Sequence, residues 1–444
     1  MSQAIASIAE QQSVYLRDFE QAPGREGEPE WLAALRRRGI EAFERRGFPH
    51  SREEAWRKTK LTAVANSHFT VKEPGALSAP LAERRPVADG PRLVFVDGRF
   101  DAGRSDREAL PDGVTAAPLS ELIASGDSAV AEAHLGTLAA IGEHPFAALN
   151  TAFMQDALVI HASAGKVCEA PITVVFASSD SDEQAAYPRL LAVAEPGSEL
   201  RIVEQHLGGG AKYLSCPVTE LDAGQGAVLS YYRLQELGEA GLQLGTVHAR
   251  TDRDASLRLH ALAADGQLAR TDVYVDLDGP GSEAELNGLY MTAGQQFCDH
   301  HTWVNHNAEH TTSRQVFKGV LDGRSETVFD GLVKVAEGAQ KTDAQQQNRN
   351  LLMSKLALAH SNPRLEIYAD DVKCAHGSTT GQLDEAALFY LRSRGIGPQE
   401  AKGMLTFAFA NEMLRPIRID SLHEYERALL FRQLPGDETV REVE

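Results

Sequence analysis

The stretch DDVKCAHGSTTGQ, residues 370–382, sets Cys374 and His376 two positions apart. In a strand, residues i and i+2 face the same side, so Val372, Cys374 and His376 share one face while Lys373 and Ala375 share the other. A thiolate and an imidazole so placed can meet one metal, and soft sulfur beside borderline nitrogen suits iron, zinc or an iron–sulfur cluster. Closed sites of that kind take about four protein ligands, whereas this strand supplies two, so a metal reading requires a second contributor. Two other readings stand beside it. One is a buried cysteine with a hydrogen-bonded histidine at a sheet edge; the other is a Cys–His nucleophile pair, for which no group that would orient the imidazole is visible.

A second concentration, FCDHHTWVNHNAEHTTS, carries Cys298, His300, His301, His306 and His310. On one regular strand His300 shares a face with Cys298 and His306 while His301 faces away, so the set does not converge as a whole and reads as polar residues lining a sheet. The glycine-bearing segments GGGAKYLS (208–215) and SAGKVC (163–168) lack the GxxxxGK[ST] spacing of a phosphate loop, so no nucleotide is expected on this chain. The run AQQQNRN, residues 344–350, reads as a solvated turn.

The elements that must position these residues change character along the chain. Residues 1–150 form a mainly helical region: Trp31, Leu32, Leu35, Ile40 and Phe43 recur at helical spacing, a further helix start is expected at Ser51, and only PRLVFVDGRFD reads as strand and turn. From 151 to 382 short alternating segments separated by Gly, Asp, Asn and Pro replace the helical pattern. Segment starts recur at Leu200, Val228, Leu257, Leu286 and Val316, with a second set at Val218, Val247, Val273, Val304 and Val333. A period near 29 residues with two strands in each repeat suggests a β-solenoid, whose turns bury their apolar faces by stacking. A large antiparallel sandwich is the alternative. The solenoid reading places Leu200, Val228, Leu257 and Leu286 in one column. After Gln382 two helices follow, divided at RGIGPQE, in a helical domain over 383–444. Its apolar Leu388, Phe389, Leu391, Met404, Phe407 and Phe409 exceed what two short helices bury against each other, so part of this surface is expected to dock a partner.

The chain has 444 residues and a formal charge of −19, with no basic block able to neutralise a phosphate backbone. Neither nucleic acid nor an anionic membrane is therefore expected as a partner. Neither a signal-peptide pattern nor an 18-residue apolar run is present, so a cytoplasmic location is expected. The four cysteines are far apart and form no CxxC pair, which points to reduced thiols.

Taken together, the segments CDHHTWVNHNAEHTTSRQVFKGVLDGRSETVFDG, AQKTDAQQQNRNLLMSKLALAHSNPRLEIYADDVKCAHGSTTGQLDEAALFYLRSRGI and FAFANEMLRPI resemble the SufB/SufD family of iron–sulfur cluster assembly scaffolds, on its SufD branch. The similarity runs over about 297–415 and, less specifically, over FPHSREEAWRKTKL near the N-terminus. It implies a right-handed parallel β-helix flanked by helical domains and a non-enzymatic subunit that pairs with a SufB-type paralogue and a SufC-type ATPase. It also implies His376, with Cys374, as ligands to iron or a transient cluster shared with the partner, and ATPase docking on the C-terminal helices. A flavin associated with such complexes has no locatable site here. A homodimer that completes four ligands across a two-fold axis is a rival arrangement. A carbohydrate-active β-helix enzyme is another, though that class is normally secreted.

Overall fold

A computed structural model describes residues 2–21, 27–83, 87–107 and 110–434; the last ten positions of the expected C-terminal domain lie outside the described residues. The chain is mainly β, a solenoid of about eight turns with helices at both ends. Two sheets run its length, one of ten strands and one of eleven, and from Leu158 onward each strand pairs in parallel with the equivalent strand one coil away. Strands Arg92–Val96 and Val114–Pro118, within the N-terminal region, join the first coil's sheets.

The repeat is present, but its register differs from the expected column. Leu200 stacks on Leu229 and Leu257, then on Ala284, while Val228 lies in the neighbouring outward row with Glu199 and Ser256. Leu286 belongs two residues further along, in the row Ile172, Ile202, Tyr231, Leu259, Leu286. Counting a constant period fails because the turns between coils differ in length, and a one-residue slip reverses the face of a strand.

Inward side chains of the early coils form the apolar core, including Leu93, Ile172, Ile202, Tyr231, Leu259 and Leu286. Gly288 faces that lumen because Phe317 of the next coil lies over it: a Cβ there would stand 2.3 Å from the ring. Replacing Gly288 by Val should therefore destabilise the chain by about 1–3 kcal/mol through overpacking, read as a lower denaturant midpoint at unchanged m-value.

The two helical regions cover different outer faces. The N-terminal helix Glu30–Arg46 buries Leu32, Leu35, Ile40 and Phe43, and with Pro145–Phe153 packs on the eleven-stranded sheet through Leu191, Leu242, Leu244 and Leu268. The helix expected from Ser51 is only a 3-10 turn, Glu54–Trp56. It ends so that Trp56 can lie over the buried Arg270 guanidinium at 3.7 Å, and Arg270 in turn donates to the Ala55 carbonyl. At the other end, helices Pro398–Asn411 and Asp420–Gln433 cover Val203, Leu234, Leu262, Leu289 and Val320 on the ten-stranded sheet. Lys318 anchors them by donating to the Phe409 carbonyl (2.9 Å) and Glu412 (2.5 Å), and His260 meets Glu426 at 2.9 Å. The two helices expected on either side of RGIGPQE are Glu385–Ser393 and Pro398–Asn411; the third, Asp420–Gln433, lies beyond the stretch that gave that expectation.

Candidate functional site at the open end of the solenoid

The two strands that close the chain's β-body, Leu358–Ile367 and Lys373–Gly381, are the last members of their sheets. Each is paired on one edge only, and their residues are exposed or half-buried throughout. Unpaired strand edges offer a row of backbone donors and acceptors to another chain. Leu356, Leu358, Ile367 and Tyr368 add exposed apolar surface on this coil, between 40% and 60% accessible.

Cys374 and His376 lie on the terminal strand and share its lumen-facing side. Cys374 ends the column Leu200, Leu229, Leu257, Ala284, Ser313, Ala344, and His376 ends the column Leu259, Leu286, Gln315, Gln346. Their environments differ. Cys374 is half-buried against Val333, Val335, Ala344 and Leu365, and burial pushes its thiol pKa up. That is the reverse of the depressed pKa of an activated nucleophile, so the Cys–His nucleophile reading finds no support. His376 is exposed, next to Gly377, where a Cβ would meet nothing within 4 Å. Among the described residues no three of His, Cys, Asp and Glu gather as a metal site. The open end therefore carries one sulfur and one nitrogen donor of the kind iron accepts, short of the about four protein ligands of a closed site.

The segment from Cys298 to His310 separates as the alternation requires. Cys298 and His300 face the lumen with Sγ 3.6 Å from Nδ1, and burial pushes the thiol upward and the imidazole down to about 4. His306 also points inward, held by Thr311 (2.7 Å) and Ser313 (2.9 Å). His301 faces out beside Asp299 at 3.0 Å, and His310 occupies a turn with φ of 58°.

The run 344–350 corrects the sequence reading. It is part of strand Asp343–Leu352, and Gln346, Asn348 and Asn350 point into the lumen and are at most 4% exposed. Asn348 donates to the Tyr290 hydroxyl and the Phe317 carbonyl, and Tyr290 donates to Asn350. A solenoid lumen that turns polar was not expected from composition. Two signals were available: the period-2 spacing of these amides, and the offset of 30 residues between Gln346 and His376, which matches one coil.

The apolar residues of the C-terminal helices divide. Phe407 stacks on Phe431 at 4.6 Å and Phe409 lies beneath the Lys318 ammonium at 4.5 Å, so both serve contacts within the chain. Met404, Leu388 and Leu391 are half-buried, whereas Phe389 is 73% and Tyr390 59% exposed on a helix that buries none of its residues.

The fold is a parallel solenoid whose open end carries a Cys–His pair, and comparison with known proteins gives the class. Residues 176–409 match the SUF system FeS cluster assembly SufBD core domain, and residues 9–174 match the SufBD protein N-terminal region. The chain belongs to the SufB/SufD family of the SUF iron–sulfur cluster assembly system. Its relatives place it with SufD: it is 32% identical to the iron-sulfur cluster assembly protein SufD of Escherichia coli over 88% of this chain and 90% of that protein. It is 32% identical to a SufBD family protein of Synechocystis over 84% of this chain and 85% of that one. The protein ABCI7, chloroplastic, of Arabidopsis thaliana is 28% identical over 83% of this chain. Among the described residues no helix is long and apolar enough to cross a membrane.

Proposed function

We propose that this chain is a non-catalytic scaffold subunit of a SUF assembly complex, in which its open solenoid end pairs with a SufB-type paralogue and His376, with Cys374, supplies this side's ligands to iron or a nascent cluster. The observation that carries the reading is the coincidence of the half ligand set with the unpaired end: the strand that holds both donors also presents the free edge. A partner that docks there brings the missing ligands to the same place. Family membership supports the assembly role over the carbohydrate-active alternative.

A SufC-type ATPase is the second partner, docking on the C-terminal helices. The packing changes how this is tested. Truncation after Gln382 would uncover Leu234, Leu262 and Leu289, so the remaining β-body would aggregate rather than report on a partner. The exposed helix Glu385–Ser393 gives a cleaner probe. Phe389→Asp should leave the thermal midpoint within about 2 °C, because an exposed site contributes little to stability. The same change should reduce co-purification of a co-expressed SufC-type ATPase at least tenfold; undiminished recovery would remove this helix from the docking surface.

Size measurement after co-expression with SufB- and SufC-type proteins tests the pairing. A complex containing both partners supports it. A complex of two copies of this chain that excludes the paralogue would replace it with the homodimer.

A further inference from the structure

A groove of about 320 Å³ opens on the outer face of the eleven-stranded sheet, between the segment from Arg46 to Trp56 and the strands Leu268–Leu277 and Phe297–His306. It lies apart from both surfaces assigned above to partners. The open end is two coils beyond the strand Phe297–His306, and the C-terminal helices cover the other sheet. One wall is aromatic. Tyr274 and Trp303, opposite each other in register, stack at 4.3 Å with their planes 8° apart. His144 leans against both, at 4.4 and 6.4 Å, and its Nδ1 meets the Tyr274 hydroxyl at 3.3 Å. Burial pushes the His144 imidazole below its usual range, so this wall carries no charge near neutral pH. Both Tyr274 and Trp303 are half-buried and keep part of their surface open to solvent.

The polar groups of the groove divide into those already engaged and those left over. Both terminal nitrogens of Arg46 meet Glu53. Arg270 commits all three of its nitrogens: Nη1 to the Ala55 carbonyl, Thr59 and Asp299, and Nε and Nη2 to Asp272 at 3.0 Å. Neither terminal nitrogen of Arg46 and no nitrogen of Arg270 is left to receive an anion. Acceptors, by contrast, are in surplus. Two guanidinium groups face Glu53, Asp272 and Asp299, and Glu143 on the rim is exposed with no cation paired to it among the described residues. Asn305 gives its amide nitrogen to Asp276 at 2.8 Å, which leaves its carbonyl oxygen to accept. Arg57 and Lys58 are exposed on the turn that follows Trp56 and do not line the groove.

We infer that this groove receives an arginine side chain presented by a partner protein, the guanidinium packed against Trp303 and Tyr274 and facing the Glu143 carboxylate. The chemistry matches on each count. A guanidinium is flat, stacks on aromatic rings, and offers five donors with no acceptor, which suits a site with spare acceptors and engaged donors. An acidic side chain would meet the surplus of carboxylates instead. The groove is open on the outer surface and has room for one long side chain together with the backbone that carries it. This contact is separate from the pairing at the open end and does not depend on His376 being a ligand.

The full-length chain labelled with fluorotryptophan reports binding directly, because its three tryptophans are Trp31, Trp56 and Trp303 and two of them line the groove. Each ¹⁹F signal is identified by its loss in the corresponding Trp→Phe variant. The blocked peptide Gly-Arg-Gly should move the Trp56 and Trp303 signals saturably, with a dissociation constant of about 1–30 mM for a ligand of this size, and leave Trp31 in place. The same peptide with citrulline, which keeps the shape and loses the charge, should move neither. Glu143→Gln, an exposed change that leaves folding intact, should weaken the arginine peptide about 2–5-fold. Trp303→Leu, read at Trp56, should do so to a similar degree, about 2–5-fold. Absence of a saturable shift, an equal response to the citrulline peptide, or unchanged affinity in both variants overturns the inference. Tighter binding of free ethylguanidinium than of the peptide would assign the groove to a small cation and overturn the partner reading.

Discussion

Replacing His376 by Ala should leave this chain folded and paired while iron–sulfur clusters formed on the assembled complex fall to a small fraction of the wild-type level. The two halves of that result have different physical grounds. His376 is exposed on a terminal strand, and exposed substitutions outside caps and strained positions change stability by only about 0.5 kcal/mol. In the complex proposed above its loss removes one of this side's donors to iron, which should cost at least the roughly 10–100-fold in affinity that the loss of an outer-shell partner costs. Cys374→Ser should have an equal or smaller effect, because burial holds that thiol in its protonated form. Visible absorption of the purified complex, normalised to co-purified SufB- and SufC-type subunits, provides the measurement. Full cluster content in His376→Ala would return this histidine to a hydrogen-bonded strand residue.

The second large effect concerns the lumen and pH. His206, His300 and His306 are enclosed there, and burial pushes each down to about 4, with the Arg233 guanidinium adding to the effect at His206. In the unfolded chain these imidazoles protonate near 6.5. Between pH 6.5 and 4 the unfolded state therefore binds protons that the folded state refuses, and stability present above 6.5 is lost as pH falls through that window. Each such proton contributes on the order of 1.4 kcal/mol per pH unit, so three together give up to about 4 kcal/mol per unit. Glu204 extends the trend: against the upward push of its own burial, Arg233 and His206 hold it at about 2, and that contribution is lost progressively as pH falls from about 4.5 through 2. Urea midpoints at pH 7 and pH 5 should differ sharply, and His206→Gln should remove about a third of the slope between them. Equal midpoints at the two pH values would mean that these imidazoles are not held neutral by the fold.

The solenoid was legible in the sequence because strand starts recur at a nearly constant interval, and the shared face of Cys374 and His376 was legible because a strand has an exact period of two. Register was not. Leu286 and Val228 were misplaced by counting, since the number of turn residues varies and no pattern in the turns announces it. The interior polarity of Gln346, Asn348 and Asn350 was hidden for a different reason: composition marks these residues as solvated, and only pairing with Phe317 one coil away and a hydrogen bond to Tyr290 two coils away reveal that they point inward. The separation of the segment 298–310 into inward and outward histidines followed from alternation alone, whereas the hold of Trp56 on Arg270 depends on a contact between segments more than 200 residues apart.

The attachment of the C-terminal helices determines how a mechanical load would travel through this subunit. Helices Pro398–Asn411 and Asp420–Gln433 are tied to strands from Val203 to Val320 by Lys318, His260 and a broad apolar contact, so tension applied to them is shared among several coils that resist as one body. The helix Glu385–Ser393 has no such ties and buries none of its residues. It follows the strand Lys373–Gly381 after only Gln382, Leu383 and Asp384, and that strand is held by hydrogen bonds along one edge. Tension on this short helix is delivered through the covalent chain to a strand paired on one edge only, peeling it from its free side, and the first side chains displaced are those of the strand that carries Cys374 and His376.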